Sequence, residues 1–206
     1  MFGRVLKAAI VCGVAGAAWG CIAPVQARVM QATYAPVGGQ TLVPYGWVKF
    51  CGRYRGECDT RALQPMDVNL TPASYRKLKR VNLWVNEHVK PITDMDHWGV
   101  IDQWDYPIDG YGDCEDYALL KRKLLMQAGF PRQGLLITVV KDTHGEGHAI
   151  LTVKTNHGEF ILDNLTDRIK PWTQTGYRFV KRQSQSDPNV WLDIGQPSEA
   201  PLVVSR

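Results

Sequence analysis

The first clear pattern in the chain is a stripe of apolar residues at helical spacing. Its members, separated by three or four positions, are Leu78, Val81, Val85 and Val89. Such spacing places side chains on one face of an α-helix. Thr71 followed by Pro72 supplies an N-cap and a proline suited to the first helical position, and Pro91 lies just past the stripe. The pattern predicts a helix over residues 72–90.

A second helix is predicted to begin at or one residue before Cys114. Asp113 suits the N-cap, and Glu115 and Asp116 place negative charge in the first turn, where it complements the helix dipole. Gly129 ends the segment. The predicted buried side consists of Ala118, Leu119, Leu124, Leu125 and Ala128. The predicted solvated side consists of Lys121, Arg122 and Lys123.

After this helix the periodicity changes to that of β-strands. Residues 135–141 form one predicted strand, and 148–154 and 159–164 flank a turn-rich segment, which indicates a hairpin. Residues 177–181 suit a further strand. Two helices followed by an antiparallel sheet predict an α+β fold.

The remaining segments show little periodicity. We expect residues 28–46 to form an extended lead-in and the chain from Ser184 onward to form a polar tail. Residues 91–112 are rich in aspartate, glycine and aromatic residues and are predicted to form a loop. Its aromatic side chains suit a substrate groove and a hydrophobic plug equally well.

The beginning of the chain has the features of an export signal. Arg4 and Lys7 precede an apolar run over residues 8–23, and a small-residue pattern ends at Ala27. We therefore predict a signal peptide over residues 1–27, cleaved after its last residue. The 28–206 remainder is then a single domain with a polar C-terminal tail. A membrane anchor is the first alternative, but the run is short for a span of about 20 residues.

Attachment of lipid at Cys21 is the second alternative for this segment. The sequence AWG before it lacks the usual leucine.

The net charge of the chain excludes one class of partner. The formal net charge of +4 falls to +2 when Arg4 and Lys7 are removed. So small a charge gives no electrostatic footprint for nucleic acid.

The cysteines fit an oxidising compartment. Of five, Cys12 and Cys21 leave with the predicted signal. Cys51 and Cys58 bracket a short glycine-bearing segment and are predicted to form a disulfide. This leaves Cys114 as the odd cysteine, a pattern that points to a reactive thiol.

A nucleophilic cysteine needs a base and a group that orients the base. His148 begins one strand of the predicted hairpin, and Asp163 lies near the end of the other. A turn centred between Thr155 and Asn156 would place the two directly opposite. Centred one residue later, it would make them diagonal neighbours on the same face. Either register permits a hydrogen bond between them.

These residues lie in blocks that resemble a known family. The blocks are Gly112–Ala118 (GDCEDYA), Gly147–Ala149 (GHA) and Leu162–Asn164 (LDN). Their order and spacing resemble the bacterial transglutaminase-like cysteine proteinases. The resemblance implies a papain-like, transglutaminase-type fold, with Cys114 as nucleophile, His148 as general base and acid, and Asp163 as orienting carboxylate.

The resemblance also implies calcium beside the cysteine, held by Asp113, Glu115 and Asp116. Calcium is a hard cation that binds carboxylate oxygens. It would offset the negative charge of the acidic cluster, which otherwise disfavours a thiolate at Cys114. The alternative is that the acidic residues only start the helix.

The leading functional hypothesis is an exported, periplasmic cysteine endopeptidase that cleaves a periplasmic or surface protein. By family analogy the partners would be a large surface adhesin as substrate and an inner-membrane regulatory receptor. A protein transglutaminase would use the same three residues, with an amine instead of water resolving the thioester. A calcium-binding module without catalysis is the third hypothesis.

Overall fold

The computed structural model describes residues 32–58 and 61–195. The predicted signal segment 1–27 therefore lies outside the described residues. Within these residues, the α-helices are α1 (Tyr45–Arg53), α2 (Arg55–Cys58), α3 (Pro72–His88), α4 (Asp94–Trp98) and α5 (Cys114–Gln127). The strands are β1 (Val37–Thr41), β2 (Lys90–Pro91), β3 (Tyr111–Gly112), β4 (Leu135–Lys141), β5 (Gly147–Thr155), β6 (Gly158–Leu162), β7 (Lys170–Pro171), β8 (Arg178–Gln183) and β9 (Trp191–Ile194). None of these helices is both long and apolar enough to cross a membrane.

The predicted α+β fold is confirmed. Seven strands form one antiparallel sheet in the order β1-β9-β8-β4-β5-β6-β7, while β2 and β3 pair separately in parallel. Helix α5 packs against β5 and β4, and α3 packs on α5. The helix that begins with the cysteine therefore lies between the sheet and an outer helix.

The start of α3 shows why its boundary could be predicted. Thr71 Oγ1 accepts a hydrogen bond from the Ser74 backbone N–H, and Ser74 Oγ accepts one from the Thr71 N–H. This reciprocal capping satisfies two donors that the first turn leaves free. Leu78 and Val85 of the predicted stripe are fully buried.

Alternation along β5 divides the core into two layers. Ala149, Leu151 and Val153 share a buried cluster with apolar residues of α5. Ile150 belongs to a second cluster, on the opposite face, with Ile161 of β6. The hairpin is therefore covered on both faces, as its nearly continuous burial shows.

Several segments predicted to be irregular contain regular structure. Strand β1 lies within the predicted lead-in, and β9 lies within the predicted polar tail; the two pair with each other at the sheet edge. The segments are short, and their pairing depends on residues about 150 positions away, so neither shows its own periodicity. Helix α4 lies in the predicted loop 91–112, and α1 and α2 contain the disulfide cysteines.

The aromatic residues of that loop differ in burial. Trp104 and Tyr106 are buried, and Trp104 packs edge-on against Trp47 and Trp191. Trp98 and Tyr111 remain partly exposed. The first pair is therefore part of the core, as a hydrophobic plug would be.

The prediction that the basic residues of α5 face solvent is wrong for two of them. Lys121 and Arg122 are 1% and 3% exposed. Helix α5 is enclosed on several sides, so its polar positions also meet protein. The Arg122 guanidinium lies 5.5 Å from the centre of the Trp47 ring, and the Lys121 ammonium lies 5.8 Å from that of Tyr117.

The predicted disulfide is present. Cys51 near the end of α1 is bonded to Cys58 at the end of α2. Cys114 is the free cysteine among the described residues.

The packing of Trp104 against α1 gives a test of the fold. A Cβ on Gly46 would lie 2.2 Å from Trp104 Cδ1, whereas one on Gly52 of the same helix would meet nothing within 4 Å. We expect Gly46→Ala to lower the free energy of unfolding by about 1–3 kcal/mol, because the buried indole must shift. Gly52→Ala should leave it unchanged or raise it slightly, since alanine favours helix. Denaturant unfolding under non-reducing conditions measures both, and equal effects would contradict the packing.

Candidate active site

Cys114 is placed at the first residue of α5. Asp113 occupies the N-cap position in an extended conformation, as predicted, but its carboxylate does not cap the helix. The backbone N–H of Ala149 donates a hydrogen bond to Cys114 Sγ at 3.3 Å. The contact ties the start of α5 to β5, so the cysteine lies directly against the strand that carries His148.

The β5–β6 hairpin brings His148 and Asp163 together. The pairing of Leu151 with Leu162 is the second of the two registers considered, which makes His148 and Asp163 diagonal neighbours on one face. His148 Nε2 and Asp163 Oδ1 are 2.9 Å apart. Both residues are buried, so the contact is shielded from water.

Two other groups contact the Asp163 carboxylate. The Leu165 backbone N–H donates to Oδ1 at 3.0 Å, and the Tyr177 hydroxyl donates to Oδ2 at 2.6 Å. The sequence reasoning missed Tyr177. It is a single aromatic residue in the segment between β7, which pairs with β6, and β8, and no local pattern places it next to Asp163.

The histidine lies beside the thiol, with one ring nitrogen available. In this structure the Cys114 S–H donates to Glu115 Oε2 at 3.0 Å. Within the described ranges, Nδ1 of His148 is not engaged by any oxygen or nitrogen, while Cys114 is close enough to raise the pKa of the ring. Since Nε2 is engaged by Asp163, Nδ1 is the nitrogen that remains for a proton from Cys114.

Burial and charge act in opposite directions on this pair. Burial by itself lowers the pKa of His148, but the hydrogen bond to Asp163 and the neighbouring Cys114 together raise it to about 9. Burial by itself raises the pKa of Asp163, yet its hydrogen bonds from His148 and Tyr177 and the charge of His148 leave that pKa below its ordinary value. The surroundings therefore favour an imidazolium paired with a carboxylate.

A group of buried carboxylates lies next to the thiol. Asp94, Asp113 and Glu115 each offer an oxygen within 4.8 Å of the others, the arrangement of a candidate metal site. Asp116, the third predicted ligand, is not in this group; its Oδ1 accepts the Asp105 backbone N–H at 2.6 Å. Consecutive helical residues point in different directions, which separates Asp116 from Glu115.

Asp94 could not be found from the sequence. It lies in α4, twenty residues before Cys114, and its spacing to the acidic block carries no signal. The two-residue strands β2 and β3 lie on either side of this loop and pair with each other, which brings the loop back to the start of α5. Asp94 also accepts a hydrogen bond from the Gln103 backbone N–H.

These carboxylates are held in an environment that disfavours their charge. Burial, then the charges of Cys114, Asp113 and Asp116, raises the pKa of Glu115 well above its ordinary value. Burial is also the main cause that raises the pKa values of Asp94 and Asp116. Among the residues that the structure describes, Glu115 Oε1 has no hydrogen-bond partner. A divalent cation would supply the missing charge and the missing partner, so these residues fit one.

The fold and the site together define a class of protein. A cysteine at a helix N-terminus, beside a histidine that is hydrogen-bonded to a carboxylate, is typical of thiol enzymes that act by acyl transfer. The chain belongs to the bacterial transglutaminase-like cysteine proteinases, because the model of that family matches residues 37–199. It is therefore a cysteine peptidase.

Solved structures with a similar fold come from Legionella pneumophila LapG. The calcium-bound form is 25% identical over 66% of this chain and 77% of that chain, with a TM-score of 0.51. A second LapG structure is 27% identical over 63% and 73% of the two chains, and an EGTA-treated form is 27% identical over 62% and 70%; both have a TM-score of 0.50. The comparison with curated proteins gave no match.

The raised pKa of His148 predicts a specific pH dependence. Because the pKa rises from 6.5 to about 9 on folding, its contribution to stability is fully present below about pH 6.5 and is lost as the pH rises through about 9. Between these values the free energy of unfolding should fall by up to about 3 kcal/mol more in the wild type than in His148→Gln. Denaturant unfolding at several pH values measures this difference. Parallel profiles for the two proteins would contradict the predicted pairing.

Proposed function

We propose that this cysteine peptidase is an exported endopeptidase with Cys114 as nucleophile, His148 as general base and acid, and Asp163 as the group that orients the histidine. The observation that carries the proposal is the His148 Nε2–Asp163 Oδ1 contact of 2.9 Å beside the thiol at the start of α5. Each residue alone has an ordinary structural explanation, but the three together form a proton path.

In the proposed mechanism each of the three groups has its own role. Nδ1 of the neutral His148 ring takes the proton of the Cys114 thiol, which gives the thiolate and the imidazolium that the raised pKa of His148 favours. The sulfur then forms a bond to the carbonyl carbon of the scissile peptide, and the carbonyl electrons move to the oxygen. The same imidazolium then gives this proton to the leaving amine as the C–N bond breaks. Water, deprotonated by His148, cleaves the resulting thioester and restores the thiol. Throughout, Asp163 keeps Nε2 protonated and directs Nδ1 toward the sulfur.

The start of α5 offers a second contribution. Backbone N–H groups in the first turn of a helix lack partners within the helix, and such groups stabilise an oxyanion. The nucleophile is the first residue of α5, so these donors lie beside the carbonyl that it attacks. They would stabilise the tetrahedral intermediates that precede and follow the thioester.

Calcium is the cofactor that we propose, held by Asp94, Asp113 and Glu115. The support is their clustered oxygens, the Glu115 Oε1 that lacks a partner among the described residues, and the similarity to a LapG structure determined with calcium bound. Bound calcium would neutralise these carboxylates and would compete with the Cys114 S–H for Glu115. The Cys114 S–H would then lose its hydrogen bond to Glu115 and become available to His148.

The place of action and the substrate complete the proposal. The predicted signal over residues 1–27 supports a periplasmic location, and the Cys51–Cys58 disulfide is consistent with an oxidising compartment. The substrate is then a periplasmic or surface protein. A large adhesin, with an inner-membrane receptor that regulates access to it, is the candidate that family analogy supplies.

A comparison of cells that carry the wild type or Cys114→Ala tests the catalytic proposal. We expect one or more surface or periplasmic proteins to be shortened only in the wild type, and Cys114→Ala and His148→Gln to reduce cleavage at least about 1,000-fold. Quantitative mass spectrometry of new termini measures this. Arg76→Gln, in an exposed part of α3, is the control and should cleave normally. Cross-linked products without new termini would indicate a transglutaminase, and full activity of Cys114→Ala would overturn the assignment.

Removal of calcium tests the metal proposal without any substrate. We expect EGTA to lower the melting temperature and added calcium to restore it, because binding to the native state stabilises it by about 2.7 kcal/mol at one hundred times the dissociation constant. Asp94→Asn should weaken the calcium affinity measured by calorimetry at least about tenfold. Asp96→Asn, on the exposed side of the same helix, is the matched control and should bind normally. A melting temperature that does not respond to EGTA would contradict the site.

A further inference from the structure

Tyr177 contacts both members of the acid–base pair. Its hydroxyl donates to Asp163 Oδ2 at 2.6 Å. Its ring also meets the His148 imidazole edge-on, with the ring centres 5.6 Å apart and the planes at 79°. Tyr177 therefore constrains the orientation of both the Asp163 carboxylate and the His148 imidazole.

The donors to Asp163 show what the tyrosine adds. Oδ1 accepts hydrogen bonds from His148 Nε2 and from the Leu165 N–H. These two contacts fix one oxygen and leave the carboxylate free to turn about it. The hydroxyl on Oδ2 fixes the second oxygen and thereby the plane of the carboxylate.

The turn that carries Tyr177 is itself held in place. The Tyr177 backbone N–H donates to Thr175 Oγ1 at 3.2 Å, and the Thr175 hydroxyl donates to the Trp172 carbonyl at 2.9 Å. A rigid support is what a residue needs if it is to direct a neighbouring group.

Little room remains for water to replace the hydroxyl. A cavity of about 10 Å³ is lined in part by Asp163 and Tyr177. This volume is at the lower limit for a single water molecule. The Asp163 side chain is 2% exposed, so its carboxylate depends on protein donors such as the hydroxyl of the half-buried Tyr177.

We propose that Tyr177 is a positioning residue for the reaction. By holding Asp163, it keeps the Nε2–H of His148 hydrogen-bonded to the carboxylate and Nδ1 directed toward Cys114. This inference rests on the proposed function, since it assigns Tyr177 a task only if His148 activates the thiol. The tyrosine acts through Asp163 and does not touch the reacting atoms.

The test compares Tyr177→Phe with the wild type, because phenylalanine keeps the ring contact and removes only the hydroxyl. We expect the rate of Cys114 alkylation by iodoacetamide, followed by mass spectrometry of the Cys114 peptide, to fall about tenfold. The downfield proton resonance of the hydrogen-bonded His148 N–H should broaden or disappear. Tyr34→Phe, which removes a hydroxyl bonded to the Thr155 carbonyl, is the matched control and should change neither readout.

A double-mutant cycle separates positioning from a general structural effect. In an Asp163→Asn background, the tyrosine hydroxyl has lost the carboxylate it orients, so Tyr177→Phe should cause no further loss. An equal tenfold loss in both backgrounds, or an unchanged rate and resonance in Tyr177→Phe, would overturn the inference. If alkylation in the wild type is itself no faster than in His148→Gln, the proposed function fails first, so the two failures are distinguishable.

Discussion

The packing of the start of α5 against β5 is the constraint on which the site depends. The Ala149 N–H donates to Cys114 Sγ, and the apolar face of β5 packs on the same helix. His148 directly precedes Ala149 in β5, so this backbone contact holds the thiol next to the residue that carries the imidazole, and Cys114 is close enough to raise the pKa of His148. The cysteine and the histidine are therefore brought together by the core packing of α5 on β5.

Buried carboxylates lie on both sides of this junction, and their charges are treated differently on the two sides. On the hairpin side, the charge of Asp163 is balanced by His148 and by hydrogen bonds that favour the ionised carboxylate. On the side of α4, Asp94 and Glu115 are buried in surroundings that raise their pKa values. The surroundings thus favour the ionised form of Asp163 beside an imidazolium, whereas they disfavour the ionised forms of Asp94 and Glu115. The thiol lies between these two environments.

The site could be predicted where local rules apply. The capping sequence of α3, the acidic first turn of α5 and the alternation in β5 and β6 each depend on residues close together in the chain. They located Cys114 at a helix start and His148 near Asp163, in one of two registers. The edge strands β1 and β9 were missed because their stability comes from a partner far along the chain.

The sequence by itself determined the α+β fold, the disulfide and the helix that begins at Cys114, because periodicity, capping residues and a short spacing encode them, and it marked His148 and Asp163 as candidate partners of the thiol. Only the tertiary structure decided which carboxylates meet. It placed Asp94 beside Glu115, gave Asp116 a backbone partner instead, and brought Tyr177 to Asp163. These contacts join separate elements across loops and strand order, and no local pattern records the distance between two such elements.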